Sequence, residues 1–217
     1  MTQTARIKNS ILPFDGLRNA RDLGGMPAAD GMVVKKGKLI RSGRLHKLPE
    51  KTVAALIEMG IDNIIDLRID REIYEHKPTI LEGVTYHYFP FICTAEEDMV
   101  TVDCMMSTKM YRERKRLKRE FKNADEYMKE TYRLILFSPI AKQQLKKIFD
   151  LFVAEEKCIL WHCNSGKDRT GIVTMLLLGA LGTPREVILD DYVLSYYFLR
   201  KRRRMQRFLL ASVTISI

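Results

Sequence analysis

The sequence predicts an α/β fold in which a mostly parallel central sheet is flanked by helices. Short β-branched or aromatic runs alternate with longer stretches of helical periodicity along its 217 residues, and this alternation is typical of strands joined by crossover helices. The run KCILWHC at 157–163 has no charge after its lysine, as expected of a strand covered on both faces of the sheet. The length suits one domain spanning 1–217.

The first half of the chain predicts one helix among several strands. Residues 48–60, LPEKTVAALIEMG, have apolar positions at helical spacing, with Pro49 in the first turn and Gly60 as a left-handed C-cap. The strand candidates are rich in β-branched or aromatic residues. They lie at 61–68, at 84–91 and, as the two arms of a hairpin that turns at Lys36-Gly37, within 31–43.

The second half of the chain is mostly helical. From 96 to 152 the pattern is helical, and Pro139 is expected to divide that stretch into two helices. After the strand at 157–163, residues 168–182 predict a buried helix. The last predicted helix opens with a capping box that runs from Thr183 to Glu186.

The net charge of +10 favours anionic partners such as phosphates, nucleic acid or acidic lipid. Much of the excess lies in two basic runs, 109–122 and 200–207. These runs are either solvated helix faces or contacts for a partner, among which peripheral contact with acidic lipid is one. Aromatic residues are sparse there and no nucleic-acid-binding motif is present, so nucleic acid is disfavoured.

The cysteines and the N-terminus predict a cytoplasmic protein. Cys93, Cys104, Cys158 and Cys163 form no C-x-x-C pair, and their spacing suits neither a zinc site nor a disulfide framework. Reduced thiols in a reducing compartment fit better. The apolar runs are shorter than a membrane span, and no signal peptide is evident. Export without a conventional signal is left open.

The stretch HCNSGKDRTG at 162–171 contains the most informative residues. Cys163 ends a predicted buried strand, and a helix is expected to begin near Asp168. The amides of a loop at a helix N-terminus can bind an anion, and the same position lowers the pKa of a cysteine thiol. The sequence therefore predicts a reactive thiolate beside an anion site.

Four of the residues that follow Cys163 have the properties needed for attack of its thiolate on a phosphate monoester. Gly166 permits a positive φ and a close approach of the backbone to the anion. Arg169 supplies a planar fork that can hold two phosphoryl oxygens. Thr170 can donate its hydroxyl to the sulfur, and Gly171 is expected to let the helix pack closely against the strand.

These residues resemble a known signature. HCNSGKDRTG is similar to the H-C-x5-R-[ST] loop of the protein tyrosine phosphatase superfamily. It is more similar still to the bacterial atypical tyrosine and lipid phosphatases, whose loop reads H-C-x-x-G-K-D-R-T-G. NARDLGG at 19–25, IRSGRLHKL at 40–48 and IIDLRIDREI at 64–73 agree as well. The resemblance covers 17–197 and implies a phosphatase-like fold with a helical insertion, no metal and no cofactor.

The resemblance also implies roles for individual residues. Cys163 would be the nucleophile that forms a phosphocysteine, Arg169 would clamp the phosphoryl group, and His162 would order the loop and help to keep the thiolate. A helical lid is expected by analogy within 96–133. The other residues expected to bind substrate are Asn164, Ser165, Gly166, Lys167, Asn19, Arg21, Asp22 and Arg41. The alternative for Asn19, Arg21 and Asp22 is a structural role in the turn before Gly24-Gly25. Arg41 is likewise either a substrate-binding or a structural residue.

The general acid is less sharply indicated. Asp66, Asp70 and Asp168 are candidates, and Asp66 is favoured because it ends a predicted parallel strand, where ligand crevices lie. The alternative is that Asp66, Arg68 and Glu72 form a structural ion-pair network.

The expected function is hydrolysis of phosphomonoesters. The substrate would be a phosphotyrosine-containing protein, with tolerance for phosphoserine, phosphothreonine or phosphoinositides. There are two alternatives: a rhodanese-type sulfurtransferase and a non-catalytic phosphate-binding module. The first also holds a cysteine in such a loop, and the second would only bind an anion there.

Overall fold

A computed structural model describes residues 10–91, 126, 129, 132–133, 136–137 and 139–199. Most of the predicted lid at 96–133 lies outside the described residues, and so do both basic runs. The four described positions of the lid segment, 126, 129, 132 and 133, are helical.

A five-stranded sheet forms the centre of the fold. Its strands are β1 (Arg21–Asp22), β2 (Leu39–Ser42), β3 (Ile61–Asp66), β4 (Thr85–Tyr88) and β5 (Cys158–His162). They lie in the order β1-β2-β5-β3-β4. Only the short edge strand β1 is antiparallel to its neighbour, and the other pairings of this sheet are parallel. The predicted mostly parallel sheet is thus confirmed.

The carboxyl ends of the parallel strands meet at one edge of the sheet. Ser42 of β2 pairs with His162 of β5, His162 pairs with Asp66 of β3, and Asp66 pairs with Tyr88 of β4. A register shift between Ile61 and Asn63 precedes this alignment of β3 with β5. The polar ends of three parallel strands therefore stand level with the residue before Cys163.

Five α-helices have described bounds, and they cover both faces of the sheet; a short 3-10 helix also lies at Ala29–Gly31. The α-helices are α1 (Glu50–Glu58), α2 (Asp70–Glu75), α3 (Pro139–Ala154), α4 (Asp168–Ala180) and α5 (Arg185–Leu199). Alternate residues of β5 point to opposite faces, as the pleat requires. Ile159 and Trp161 pack with buried residues of α3, α4 and α5, whereas Leu160 packs with Leu56 of α1.

Local signals explain where several elements begin and end. Gly60 follows α1 with φ +72°, the left-handed conformation that was predicted for it. A helix begins at Pro139, as the sequence indicates. Trp161 is buried, and its indole N–H lies 3.2 Å from the Thr174 hydroxyl, so the one polar atom of this side chain is satisfied.

Two local predictions were wrong. The predicted hairpin does not form, because β2 pairs with β1 and Val33 bridges Pro27 instead of the β2 strand. The predicted capping box at α5 is also absent, since the Thr183 hydroxyl is buried and has no hydrogen-bond partner among the described residues. The helix begins at Arg185, so Thr183 lies too far before it to serve as its cap.

Within the described ranges, no helix combines the length and the apolar character needed to cross a bilayer.

Candidate active site

The loop that follows β5 lies at the N-terminus of α4. Cys163 comes directly after the strand, and α4 begins five residues later at Asp168. Cys163 has an exposed fraction of 0% and lies against the apolar cluster that includes Trp161 and Ile172.

Hydrogen bonds from outside the loop hold three of its consecutive carbonyls. The backbone N–H of Arg44 donates to the carbonyl of Asn164 over 3.1 Å. The Asn19 side-chain amide donates to the carbonyls of Ser165 and Gly166, over 3.2 and 2.8 Å. In a trans peptide the carbonyl and the N–H that follows it point in opposite directions. The three amides after these carbonyls therefore point towards the inside of the loop, where an anion would lie.

Gly166 could not be replaced without moving the backbone. Its φ is +70°, and a Cβ added there would lie 2.3 Å from the carbonyl oxygen of Ser42. Gly171 has a different neighbour from the predicted one, because its added Cβ would lie 3.0 Å from the ring of Tyr192 in α5. It thus allows α4 to approach α5 closely, whereas the sequence predicted an approach to the strand.

Arg169 is fixed by a carboxylate from α2. Its two terminal nitrogens each donate to one oxygen of Glu72 over 2.7 Å, and one of them also donates to the carbonyl of Leu67. Both side chains are buried. Such a bidentate pair fixes the plane of the guanidinium as well as its position. Glu72 also accepts the backbone N–H of Ile69, which caps the short helix α2.

Asp66 forms an ion pair with Arg68. The Arg68 side chain donates to both carboxylate oxygens over 2.7 to 3.0 Å, and the His162 ring lies 3.7 Å away. Burial alone would raise the pKa of Asp66, but His162 and Arg68 outweigh it, so this pKa is lower than usual. Asp66 therefore matches the structural ion-pair alternative, although Glu72 of the same predicted network pairs with Arg169.

His162 lies beside Asp66 at the end of β5. It is fully buried, and its desolvation lowers the pKa of the imidazole in spite of the attraction of Asp66. One ring nitrogen, Nδ1, lies 3.2 Å from the carbonyl of Cys163. His162 therefore contacts the backbone of the nucleophile, and its part in ordering the loop stays a prediction.

Asp168 lies in a cluster of polar side chains at the start of α4. The Tyr132 hydroxyl donates to its Oδ1, and the Lys167 ammonium lies 2.9 Å from the same atom. The Tyr192 hydroxyl is 3.5 Å away. Burial, followed by the charge of Asp168, raises the pKa of Tyr132, so this phenol keeps its proton. Tyr132 belongs to the segment predicted to be a lid and contacts the loop directly.

Arg21 and Arg41 lie behind the loop, on the side of its outward carbonyls. Both have an exposed fraction of 0%, and both pair with the buried Asp191 of α5. Asn19 is likewise buried and faces the outer side of the loop. These positions differ from the predicted substrate-binding ones.

The structure shows where the polar groups of two further predicted site residues, Asp22 and Thr170, lie. Asp22 accepts the backbone N–H groups of Gly24 and Gly37, so its carboxylate braces two turns. The Thr170 hydroxyl is buried and has no hydrogen-bond partner in the part of the chain that is described. The predicted donation from this hydroxyl to the Cys163 sulfur is therefore not among the described hydrogen bonds.

The structure adds residues that the sequence did not single out for the site. Their contacts cross long distances along the chain, and they are Glu72, Tyr132, Asp191, Tyr192 and Ser195. Among the described residues, no cluster of His, Cys, Asp and Glu could hold a metal ion.

Comparison with known proteins gives a consistent family. A sequence profile described as the tyrosine phosphatase family matches residues 12–213. The triple specificity protein phosphatase PtpB of Mycobacterium tuberculosis is 30% identical over 200 residues, which cover 86% of this chain and 69% of that protein. A Cupriavidus necator protein with the provisional name tyrosine-protein phosphatase H16_A0669 is 31% identical over 85% of this chain. This chain spans 62% of the length of the Cupriavidus protein.

Proposed function

We propose, since the chain belongs to the tyrosine phosphatase family, that it hydrolyses phosphomonoesters through a phosphocysteine on Cys163. The observation that carries this proposal is the arrangement of the loop carbonyls. Asn164, Ser165 and Gly166 each direct a carbonyl to a donor outside the loop, so the amides that follow point away from those donors. The N-terminus of α4 lies behind the same loop and favours an anion there.

The first step of the reaction transfers the phosphoryl group to sulfur. The thiolate of Cys163 attacks phosphorus and forms an S–P bond, while the bond from phosphorus to the ester oxygen breaks and that oxygen takes a proton from a general acid. The inward amides and Arg169 hold the equatorial oxygens. In the second step, water attacks the phosphocysteine, which releases inorganic phosphate and restores the thiolate.

Asp168 is the better candidate for the general acid. Asp66 is bound on both oxygens by Arg68, and its lowered pKa holds it ionised at neutral pH. Asp168 instead lies in the first turn of α4, within the loop signature itself.

We expect Asp168→Asn to lower kcat by roughly 10²-fold or more and to remove the alkaline limb of the pH profile. The loss should be larger for phenyl phosphate than for para-nitrophenyl phosphate, because nitrophenolate is the weaker base and needs less protonation. The matched control is Asp66→Asn, which should keep the alkaline limb. An alkaline limb that persists in Asp168→Asn and vanishes in Asp66→Asn would assign the acid to Asp66 instead.

Glu72 is proposed to place the Arg169 guanidinium. Glu72→Gln keeps the shape of the side chain but can accept only one of the two hydrogen bonds from the fork. We expect kcat/KM to fall by about 10- to 100-fold, and the affinity for vanadate to fall with it. Glu75→Gln on the same helix is the control, because Glu75 pairs with the exposed Arg71. Equal effects of the two variants would contradict a specific role for Glu72.

Phosphotyrosine in proteins is the proposed substrate class, with phosphoinositides as a further class. The family and the name of the Mycobacterium tuberculosis relative support a protein substrate. The Lys167 ammonium lies beside Asp168 at the start of α4 and adds positive charge there, which supports acceptance of a more highly charged headgroup. A cytoplasmic location and peripheral contact with acidic lipid remain proposals from the sequence.

The test of this function is a comparison of activities on one preparation. We expect phosphate release from para-nitrophenyl phosphate and from phosphotyrosine peptides, and no thiocyanate from thiosulfate plus cyanide. A panel of phosphopeptides and phosphoinositides would then rank the substrates. Thiocyanate production would indicate the rhodanese alternative, and ligand binding without any turnover would indicate a binding module.

A further inference from the structure

A buried network of charges lies behind the loop. Arg21 and Arg41 have no exposed surface, and Asp191 of α5 is the carboxylate that pairs with both. Arg21 donates from Nε to Asp191 Oδ1 over 2.8 Å, and Arg41 donates from Nη1 to Asp191 Oδ2. The Ser195 hydroxyl lies 3.0 Å from Arg21 and 3.4 Å from Arg41. Two guanidinium groups share one carboxylate, so these three side chains keep one net positive charge in the interior.

Both arginines act on the same loop carbonyl. Arg41 donates from Nη2 to the carbonyl of Gly166 over 2.7 Å. Arg21 donates to the Asn19 side-chain oxygen, and the Asn19 amide in turn donates to the Gly166 carbonyl over 2.8 Å. The Gly166 carbonyl is therefore held from behind by a charged and by a neutral donor. This geometry turns the next amide of the chain, that of Lys167, towards the inside of the loop.

Arg41 also lies near Cys163 in the sheet, because β2 pairs Arg41 with Trp161, two residues before the cysteine. Burial lowers the pKa of Arg41 to about 10, and the opposing attractions that raise it come first from Asp191 and also from Cys163. Arg41 therefore stays charged at neutral pH. An attraction between two ionised groups is mutual, so the nearby Arg41 charge favours the thiolate.

We propose that Arg41 is a positioning residue for Cys163: it fixes the outward carbonyl of Gly166 and stabilises the thiolate from behind the loop, where Asp191 of α5 anchors it. This role rests on the proposed function, in which Cys163 reacts as a thiolate. It links the strand motif IRSG and helix α5 to the nucleophile through the Gly166 carbonyl.

Other titratable or charged groups lie on the elements that pack around the loop, and they define what the experiment must keep constant. They come from β3, α2, the loop and α4, and they are Asp66, Glu72, His162, Lys167, Asp168 and Arg169. None of them is altered in the variants below.

The test is the pH dependence of alkylation of Cys163 by iodoacetamide, followed on its own peptide by mass spectrometry. We expect Arg41→Gln to raise the midpoint of the alkylation profile by roughly one pH unit, since it removes a nearby positive charge. Arg41→Lys keeps that charge and should leave the midpoint within about 0.3 pH unit of the wild type. Ser195→Ala is the matched control, because it removes a network hydroxyl without changing any charge.

Arg41→Gln leaves Asp191 buried without one of its partners, which threatens folding. If this variant does not unfold cooperatively, the midpoint is read on Arg41→Gln/Asp191→Asn, where both groups are neutral. The Arg41 guanidinium hydrogen-bonds to both Asp191 and Gly166, so it lies between them and closer to the loop than Asp191 does. Removing both charges therefore still lowers the positive potential at the loop. The midpoint should again lie above that of the wild type.

Two results would overturn the proposal. One is a folded Arg41→Gln, or a folded double variant, that keeps the wild-type midpoint. The other is an equal shift in Arg41→Lys, which would mean that the charge is not the cause. Alkylation needs no substrate, so the comparison is separate from the phosphatase assay. A wild type that releases no phosphate would refute the proposed function and leave the alkylation result standing on its own.

Discussion

Cys163→Ser is expected to lower the rate of phosphate release by at least about 10⁴-fold, the largest effect of any single substitution in this chain. A serine hydroxyl is not ionised at neutral pH, so the loop would still present its amides but would lack a nucleophile. Binding of vanadate or of a phosphotyrosine peptide, measured by calorimetry, should survive the change. Turnover within about 100-fold of the wild type would exclude a phosphocysteine on this residue.

Cys158→Ser supplies the matched control for that experiment. Cys158 begins the same strand that Cys163 follows, and it is also buried. Burial raises the pKa of the Cys158 thiol to about 12, so it is not a thiolate at neutral pH. The folded control should keep wild-type turnover and the wild-type alkylation of Cys163. Loss of activity in both variants would point to disruption of the strand instead of removal of a nucleophile.

Gly166→Ala is expected to destabilise the fold by about 3 kcal/mol or more and to reduce turnover by at least about 100-fold. The added methyl group would meet the Ser42 carbonyl oxygen at 2.3 Å, and the neighbouring backbone atoms of Gly43 are almost as close. Both partners are main chain, so β2 or the loop must shift. The Gly166 carbonyl would then leave the two donors that orient it. Chemical unfolding and steady-state kinetics on the same preparation measure the two effects.

Gly83→Ala separates strain of the backbone from collision. Gly83 also has a positive φ, +77°, but nothing lies within 4 Å of its added Cβ. Its substitution should cost about 1 kcal/mol from the left-handed conformation alone and leave turnover unchanged. A Gly166→Ala variant that loses no more than Gly83→Ala would show that the loop tolerates the methyl group.

The sheet and the position of the loop could be predicted because their signals are local. The uncharged run before Cys163, the strand at 61–68 and the glycine at position 60 each reflect a requirement of the backbone beside them. The parallel order of the strands follows from the alternation of strands and helices.

The contacts that orient the loop could not be predicted in the same way. Arg41 and Asp191 are 150 positions apart, and Arg21 and Asp191 are 170 apart. In the sequence, Asp191 is one of two consecutive acidic residues in a helical pattern, where a solvated position is the ordinary expectation. Its burial is decided by how α5 packs against the loop, which periodicity does not reveal.

Helix α2 was missed for a related reason. It contains six residues, too few for a helical period to stand out. Its described stabilising contacts include the Glu72 carboxylate, which accepts the Ile69 backbone N–H at the start of the helix and the guanidinium of Arg169 from 97 positions away. In the stretch DLRIDRE at 66–72, Asp66 is the residue predicted for the site. The carboxylate that contacts Arg169 instead belongs to Glu72, the last residue of this stretch.

The irregular register at the start of β3 has a consequence at the other end of that strand. If pairing with β5 continued evenly from Ile61 and Cys158, the neighbour of His162 would be Ile65, one residue short of the observed Asp66. Side chains that are paired across two strands lie on the same face of the sheet. With an even register, every later side chain of β3 would therefore lie on the opposite face. The extra residue at Asp62 is thus what puts a carboxylate, and not an isoleucine, beside the histidine that precedes the nucleophile.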